Sequence, residues 1–310
     1  MNKIMRPKIL IGTIISMLFW AALAFGQATR AITVVTEPQA VIWLDDVRRG
    51  AADETGSLTI KNLSPGIHRI RVRADGFKET AQTLTAAQKG EVKIPLTKTN
   101  DQAELAFQEA ERLSTVDRQK AIDAYRKAIA LRPKYAEAQV ALARILSDSG
   151  DAEGALKAIA DARKSRPIYP EASAVEGRIY KADDKEDKAV LSFKRAIREG
   201  RGFQPEAHAG LGLLYKDRAE NAGSANDFEN QKLNYELATG ELLTAARQLS
   251  GAPDAIVIYQ LLGETYEKMR DYKKAIAVYE EFLRVFPDAN EATAVKSFIV
   301  QLKKQMNGEQ

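Results

Sequence analysis

From Ile256 to Pro287 the chain runs IVIYQLLGETYEKMRDYKKAIAVYEEFLRVFP. Its apolar residues return with a step near 3.6 on either side of Arg270-Asp271, the pattern of two successive helices that each carry one apolar face. Leu262-Gly263 and Tyr266 fall in the first helix, and Ala275 and Tyr279 fall in the second. Small residues thus stand beside large ones where two helices have to approach closely. Such a pair cannot cover its own apolar face, so it requires neighbours of the same kind.

Those neighbours appear upstream by counting. Ala121, Ala155 and Ala189 are spaced by 34 residues, as are Tyr125, Ile159 and Phe193, and as are Ala128, Ala162 and Ala196. Pro133 and Pro167 keep the same step, and the first-helix pattern recurs as Gly177 with Tyr180 and as Leu211-Gly212 with Tyr215. This resembles the tetratricopeptide repeat (TPR), a helix-turn-helix unit with that period. The resemblance implies a solenoid over residues 99–289, with units at about 102–135, 136–169, 170–204, 205–255 and 256–289. Residues 290–310 are the expected capping helix and tail, the helix from Glu291 to Lys304 covering the last apolar face. In unit one Gln108, Glu109 and Arg112 replace the usual Leu, Gly and Tyr, as suits a terminal repeat facing another domain. Unit four carries about 14 extra residues after Tyr215. Around 216–232 they are expected to form a surface loop, with Asp227 capping a lengthened second helix; insertions of this kind often lie on a binding face.

Upstream of Lys98 the texture changes. Ile32 to Val35, Val41 to Leu44, Leu58 to Ile60, Ile67 to Arg73 and Glu91 to Ile94 are short β-branched or alternating runs, bounded by Glu37-Pro38, Asp45-Asp46, Ser64-Pro65-Gly66, Asp75-Gly76 and Lys89-Gly90. Five or six strands over 29–98 make a small β-sandwich. In Ile67 to Arg73 the period of two puts Ile70 and Val72 on one face and Arg69, Arg71 and Arg73 on the other. The runs EPQAVIWLD at Glu37–Asp45 and LSPGIHRI at Leu63–Ile70, followed by Gly76-Phe77, resemble the PEGA domain of exported and surface-associated prokaryotic proteins. Gln39 and Asp46 stand where that family usually has glycine. The fold class expected is therefore α+β multidomain, a small N-terminal β-sandwich followed by an all-α TPR superhelical solenoid. Asn100 or Asp101 is placed to cap the first helix.

Ahead of the sandwich, Lys3, Arg6 and Lys8 precede an uncharged run from Ile9 to Phe25 and small residues at Ala24, Gly26 and Ala28. This is the three-part pattern of a signal peptide over residues 1–28, cut after Gly26 or Ala28. It places the mature protein in the periplasm or outside the cell. The alternative is an inner-membrane anchor at residues 9–25, since about 17 apolar residues reach the lower limit for a span. Formal charge is +4, of which those three leader residues supply three, so the basic balance points to no nucleic acid.

The 310 residues contain no cysteine and two histidines, with no phosphate loop, nucleophile elbow or dinucleotide fingerprint. Without thiolates, or partners at ligand spacing for His68 and His208, no metal, cofactor or catalytic residue is expected, and the protein reads as non-enzymatic. The TPR resemblance implies a concave groove lined by Glu137, Val140, Arg144 and Ser147, then by Glu171, Ala174, Arg178 and Lys181. Further along it implies Glu206, Ala209, Leu213 and Lys216, then Val257, Gln260, Glu264 and Glu267. Arg144, Arg178, Lys181 and Lys216 make its centre basic, which suits a protein or peptide partner of acidic character. The face of Arg69, Arg71 and Arg73 offers a second surface, for anionic envelope polymer, against the plainer reading of a solvated strand face.

Overall fold

The computed structural model describes residues 30–308, so the expected signal peptide or anchor lies outside the described residues. The β-region contains β1 (Arg30–Val35), β2 (Val41–Leu44), β3 (Val47–Ala51), β4 (Ser57–Leu63), β5 (His68–Arg73), β6 (Phe77–Lys78), β7 (Thr80–Leu84), β8 (Gly90–Lys93) and β9 (Thr97–Lys98). One sheet has the order β4-β1-β8 and the other β3-β2-β5-β7, while β6 pairs with β9. β1 lies antiparallel to β4 and parallel to β8. Ile32 and Val34 of the first sheet share one buried cluster with Ile42, Leu44, Ile70 and Val72 of the second, which makes the region a sandwich.

Strands β3 and β7 are not apparent in the sequence. Both are edges of the four-stranded sheet, and Val47-Arg48-Arg49 and Thr80-Ala81-Gln82 carry few apolar residues because each buries one face at most. Gln39 (φ 61°) and Asp46 (φ 62°) adopt the left-handed conformation that favours glycine, at the two turns where glycine was expected.

The remaining elements are helices α1 (Gln102–Leu113), α2 (Arg118–Leu131), α3 (Ala136–Asp148), α4 (Ala152–Ser165), α5 (Pro170–Ala182), α6 (Glu186–Glu199), α7 (Pro205–Ser224), α8 (Phe228–Leu249), α9 (Ala255–Lys268), α10 (Tyr272–Val285) and α11 (Ala292–Met306). Asp101, Asp117, Asp151, Asp227 and Asp271 each accept a backbone amide at a helix start, which sets where α1, α2, α4, α8 and α10 begin. Each odd helix packs on the even helix that follows it through α10, and α3 also packs on α5 and α5 on α7. The even helices make no comparable contacts with one another, so the odd helices form the inner side of the curve.

Close approach is what joins one unit to the next. Phe193 on α6 is 1% exposed, and its ring lies against Gly177 of α5 and Gly210 of α7. A Cβ at Gly177 would come within 2.6 Å of Phe193 Cδ1, so the glycine is a packing requirement. Gly263 faces Tyr279 in the same manner in the last unit.

The extra residues of unit four do not form the expected loop. They lengthen both helices, to 20 residues in α7 and 22 in α8, against 12 to 14 in α1 to α6. Each gains about two turns. The segment has no proline and only Gly223 to weaken a helix, so the chain continues α7 to Ser224 and restarts at Asp227, whose carboxylate accepts from Asn230 N at 3.1 Å. Among the described residues no helix is long and apolar enough to cross a membrane.

Phe193→Ala is expected to lower unfolding stability by about 3–5 kcal/mol, the range for an aromatic side chain removed from a closed core. Gly210→Val is expected to lower it by about 1–3 kcal/mol through overpacking against the same ring. Both are read by denaturant unfolding followed by circular dichroism; an unchanged midpoint in either variant contradicts the close packing of Phe193 between the two glycines.

Candidate functional site

The inner helices and the four-stranded sheet of the sandwich face each other across a cavity of about 1420 Å³. Trp43, Arg71 and Arg73 line it from the sheet, and Glu137, Arg144 and Tyr169 line it from the solenoid. The groove is therefore roofed by another part of the same chain.

Arg73 joins the two parts at the N-terminal end. The strand alternation of β5 sends Ile70 and Val72 into the sandwich core and Arg71 and Arg73 toward the helices. The Arg73 guanidinium is 4.6 Å from the Phe107 ring centroid and 5.5 Å from that of Trp43. Glu79 at 2.5 Å, Glu137 at 3.4 Å and Glu104 at 3.9 Å supply the countercharge. Burial works against the Arg73 charge, and these three carboxylates outweigh it, raising its pKa. Arg71 lies 4.4 Å from the Trp43 centroid and pairs with Glu79 at 3.1 Å and Glu137 at 3.6 Å. Arg69, by contrast, is exposed beside Asp46. The three arginines share one face, but solvent reaches only the first freely.

Gln108 forms the second link. Gly76 N donates to Gln108 Oε1 at 2.8 Å, and Gln108 Nε2 donates to the Phe77 carbonyl at 2.8 Å and to Glu104 at 3.0 Å. A buried amide stands where the repeat pattern has leucine because its neighbour is backbone from the sandwich. At the far end Arg49 donates from Nη1 to the Leu249 and Ser250 carbonyls, both at 2.8 Å, and Val47 joins the apolar cluster of Leu249, Ala252 and Ile258. Burial depresses the Arg49 pKa, and Asp45 partly offsets it. The sandwich thus touches the solenoid at its first helices and again at the α8–α9 junction. The polar letter at Gln108 was a legible signal for this; at Arg49 the sequence carried none.

The four groove cations are distributed along the inner helices, and each pairs with a carboxylate of the chain. Arg144 forks onto Glu206 with contacts of 2.7 and 2.6 Å and reaches Glu171 at 3.3 Å. Arg178 pairs with Asp148 at 2.9 Å, Lys181 with Asp217 at 3.0 Å and Lys216 with Glu220 at 2.8 Å. Burial pushes the Arg144 pKa down and the Glu206 pKa up, and in each the partner's charge and hydrogen bonds outweigh it. Arg144 is therefore raised, and Glu206 is held below its ordinary 4.5.

Each histidine has a polar partner at both ring nitrogens. His68 Nδ1 lies 2.6 Å from Asp45 Oδ2, and Nε2 lies 2.9 Å from the Ser64 carbonyl and 3.4 Å from Ser64 Oγ. A serine, an imidazole and a carboxylate are adjacent, but a carbonyl occupies the nitrogen that a serine-activating base needs open. His208 repeats the arrangement with Glu241 at 2.6 Å and the Gly202 carbonyl at 3.3 Å. Both rings staple a turn to a neighbouring element.

Residues 117–179 match one tetratricopeptide-repeat family model and residues 256–288 match another. Among curated proteins, anaphase-promoting complex subunit 3 of Schizosaccharomyces pombe is 26% identical over 171 residues, 55% of this chain and 23% of that protein. The chain thus spans about a quarter of the length of the curated relative it matches. The structure of yeast Tom70 superposes with a TM-score of 0.52 at 17% identity, over 67% of this chain and 41% of that one. A human IFIT1 dimer with m7Gppp-AAAA superposes with a TM-score of 0.51 at 20% identity, over 67% and 46%. These two likenesses show the solenoid fold.

Arg144→Ala is expected to cost about 1–2 kcal/mol, less than for a fully buried pair because Arg144 and Glu206 remain 29% and 30% exposed. The depressed Glu206 pKa contributes stability that is present above its ordinary value of 4.5 and lost as pH falls through the folded value. Stability should therefore drop on acidification below about pH 4.5, and Glu206→Gln should remove part of that slope. Denaturant titrations at about pH 7 and about pH 3.5 check both; an identical acid slope in Glu206→Gln contradicts the pairing.

Proposed function

Given that the chain carries tetratricopeptide repeats, we propose that it is a non-enzymatic, exported scaffold of the bacterial cell envelope whose groove receives a peptide or protein segment. The observation that carries this is the cavity of about 1420 Å³ between the inner helices and the sheet, lined by alternating charges and by Trp43 and Tyr169. It has room for an extended segment, and its polar groups suit a polar main chain. Export rests on the leader pattern of residues 1–28. The PEGA-like reading of the sandwich is supported by the left-handed turns at Gln39 and Asp46.

Of the four groove cations only Arg144 lines this cavity; Arg178, Lys181 and Lys216 lie farther along the inner helices and would extend the contact surface as exchangeable pairs. An acidic partner would reach them by displacing Glu206, Asp148, Asp217 and Glu220. Binding of envelope polymer through the arginine face would rest mainly on Arg69, since Arg71 and Arg73 are largely buried in ion pairs with Glu79.

The test fills the groove. Ala209 lines the cavity from α7, and Ala209→Trp places an indole in it. The protein and this variant are used as baits in envelope extract, with thermal unfolding as a control on folding. Partners retained by the parent and lost from the folded variant support the groove; equal retention by both removes it as the contact surface.

A further inference from the structure

We propose that the chain's own β-sandwich occupies the groove as an internal competitor, and that the partner displacing it presents arginine, not a run of carboxylates. This rests on the reading that the groove receives a partner segment, and it specifies the chemistry of that segment.

The pocket around Arg73 is built for a guanidinium. Phe107 forms its floor, and Glu104 and Glu137, from the inner helices of two successive units, form its walls. Tyr135 donates its phenolic hydrogen to Glu104 Oε2 at 2.6 Å and fixes that carboxylate. A planar cation over a ring, flanked by carboxylates, is an arrangement that arginine satisfies and that a carboxylate-bearing side chain opposes. Glu137, Glu171 and Glu206 stand in the first turns of α3, α5 and α7 and all line the cavity, so the groove repeats the same charge unit by unit. The helix N-termini favour those negative charges. Arg144 already serves Glu171 and Glu206, and within the solenoid only Arg132 approaches the Glu104–Glu137 pocket, at 4.0 Å from Glu104 and stacked on Tyr135, so the face over Phe107 is open to a guanidinium from the sandwich or a partner.

The present occupant fits imperfectly and is released without unfolding either part. The Nε groups of Arg71 and Arg73 are buried with no hydrogen-bond partner, so another arginine could make bonds that these do not. On release both arginines keep Glu79, a residue of the sandwich itself, as countercharge. The join runs through the long side chains of Arg49, Arg71, Arg73, Gln108 and Glu137, with Val47 as its apolar contact in the helical cluster. A closed form of this kind weakens apparent affinity in proportion to how seldom the groove is open.

The probe is a fluorescent peptide copying residues 67–75, IHRIRVRAD, with a control in which its three arginines are glutamates. Anisotropy is measured on the full chain, on Arg49→Ala, which loosens the far attachment away from the pocket, and on the double variant Arg71→Gln with Arg73→Gln. Both variants are expected to bind the arginine peptide about tenfold more tightly than the parent does. Adding Glu104→Gln and Glu137→Gln to Arg49→Ala should abolish the gain. Because Arg49→Ala leaves the pocket intact, the test stands even if the double variant fails to fold. Unchanged affinity for the arginine peptide in folded Arg49→Ala overturns the internal competitor. Preference for the acidic peptide overturns the proposed chemistry while the groove reading survives. Binding of neither peptide to any form overturns this proposal and counts against the groove reading as well. A dimer formed by Arg49→Ala would make a second copy's sandwich the occupant and would also overturn it.

Discussion

No pair of helices in this solenoid covers its own apolar face, and the whole C-terminal region depends on how closely one pair can approach the next. Phe193 shows the constraint at one seam, where its ring lies against two glycines on two different helices. Alanine and glycine at fixed intervals permit that approach, and the aromatic ring fills what they leave open. Burial is then shared between units, which holds the inner helices in a row and creates a concave side. The carboxylates and cations of that side are positioned by the seams behind them.

The sandwich uses the concave side in a way that a bare solenoid does not. An alternating strand must turn every second residue away from its own core, and in β5 those residues are arginines. Arginine directed at solvent would have little energetic consequence. Directed at Phe107, Glu104 and Glu137 it joins the two parts of the chain, and Arg49 repeats the device at the far end. The interface is made of long polar side chains over a large cavity, so it imposes orientation without fusing the two cores.

The groove cations illustrate how a position can be legible while its role is not. The register placed Arg144 on an inner helix, and Arg144 lines the cavity there. Its pairing with Glu206, 62 positions away, belongs to the packing of α3, α5 and α7 and leaves no trace in spacing. The residues after Tyr215 show the converse: helix-forming composition was present in the letters, and the departure from a 34-residue period drew attention to a loop that α7 and α8 replace. Edge strands β3 and β7 bury too little to impose a pattern on their sequence.

Local pattern and residue type were enough for the helical repeat, the β-rich region upstream of it, the caps at Asp101 and Asp227 and the shared face of Arg69, Arg71 and Arg73. These follow from local geometry, in which a step of 3.6 or 2 residues places side chains on a face wherever the chain later goes. That the arginine face meets the groove depends on how the sandwich docks between the first helices and the α8–α9 junction. Docking is set by contacts between residues up to 201 positions apart, such as Arg49 with Ser250, and no local period encodes such a distance.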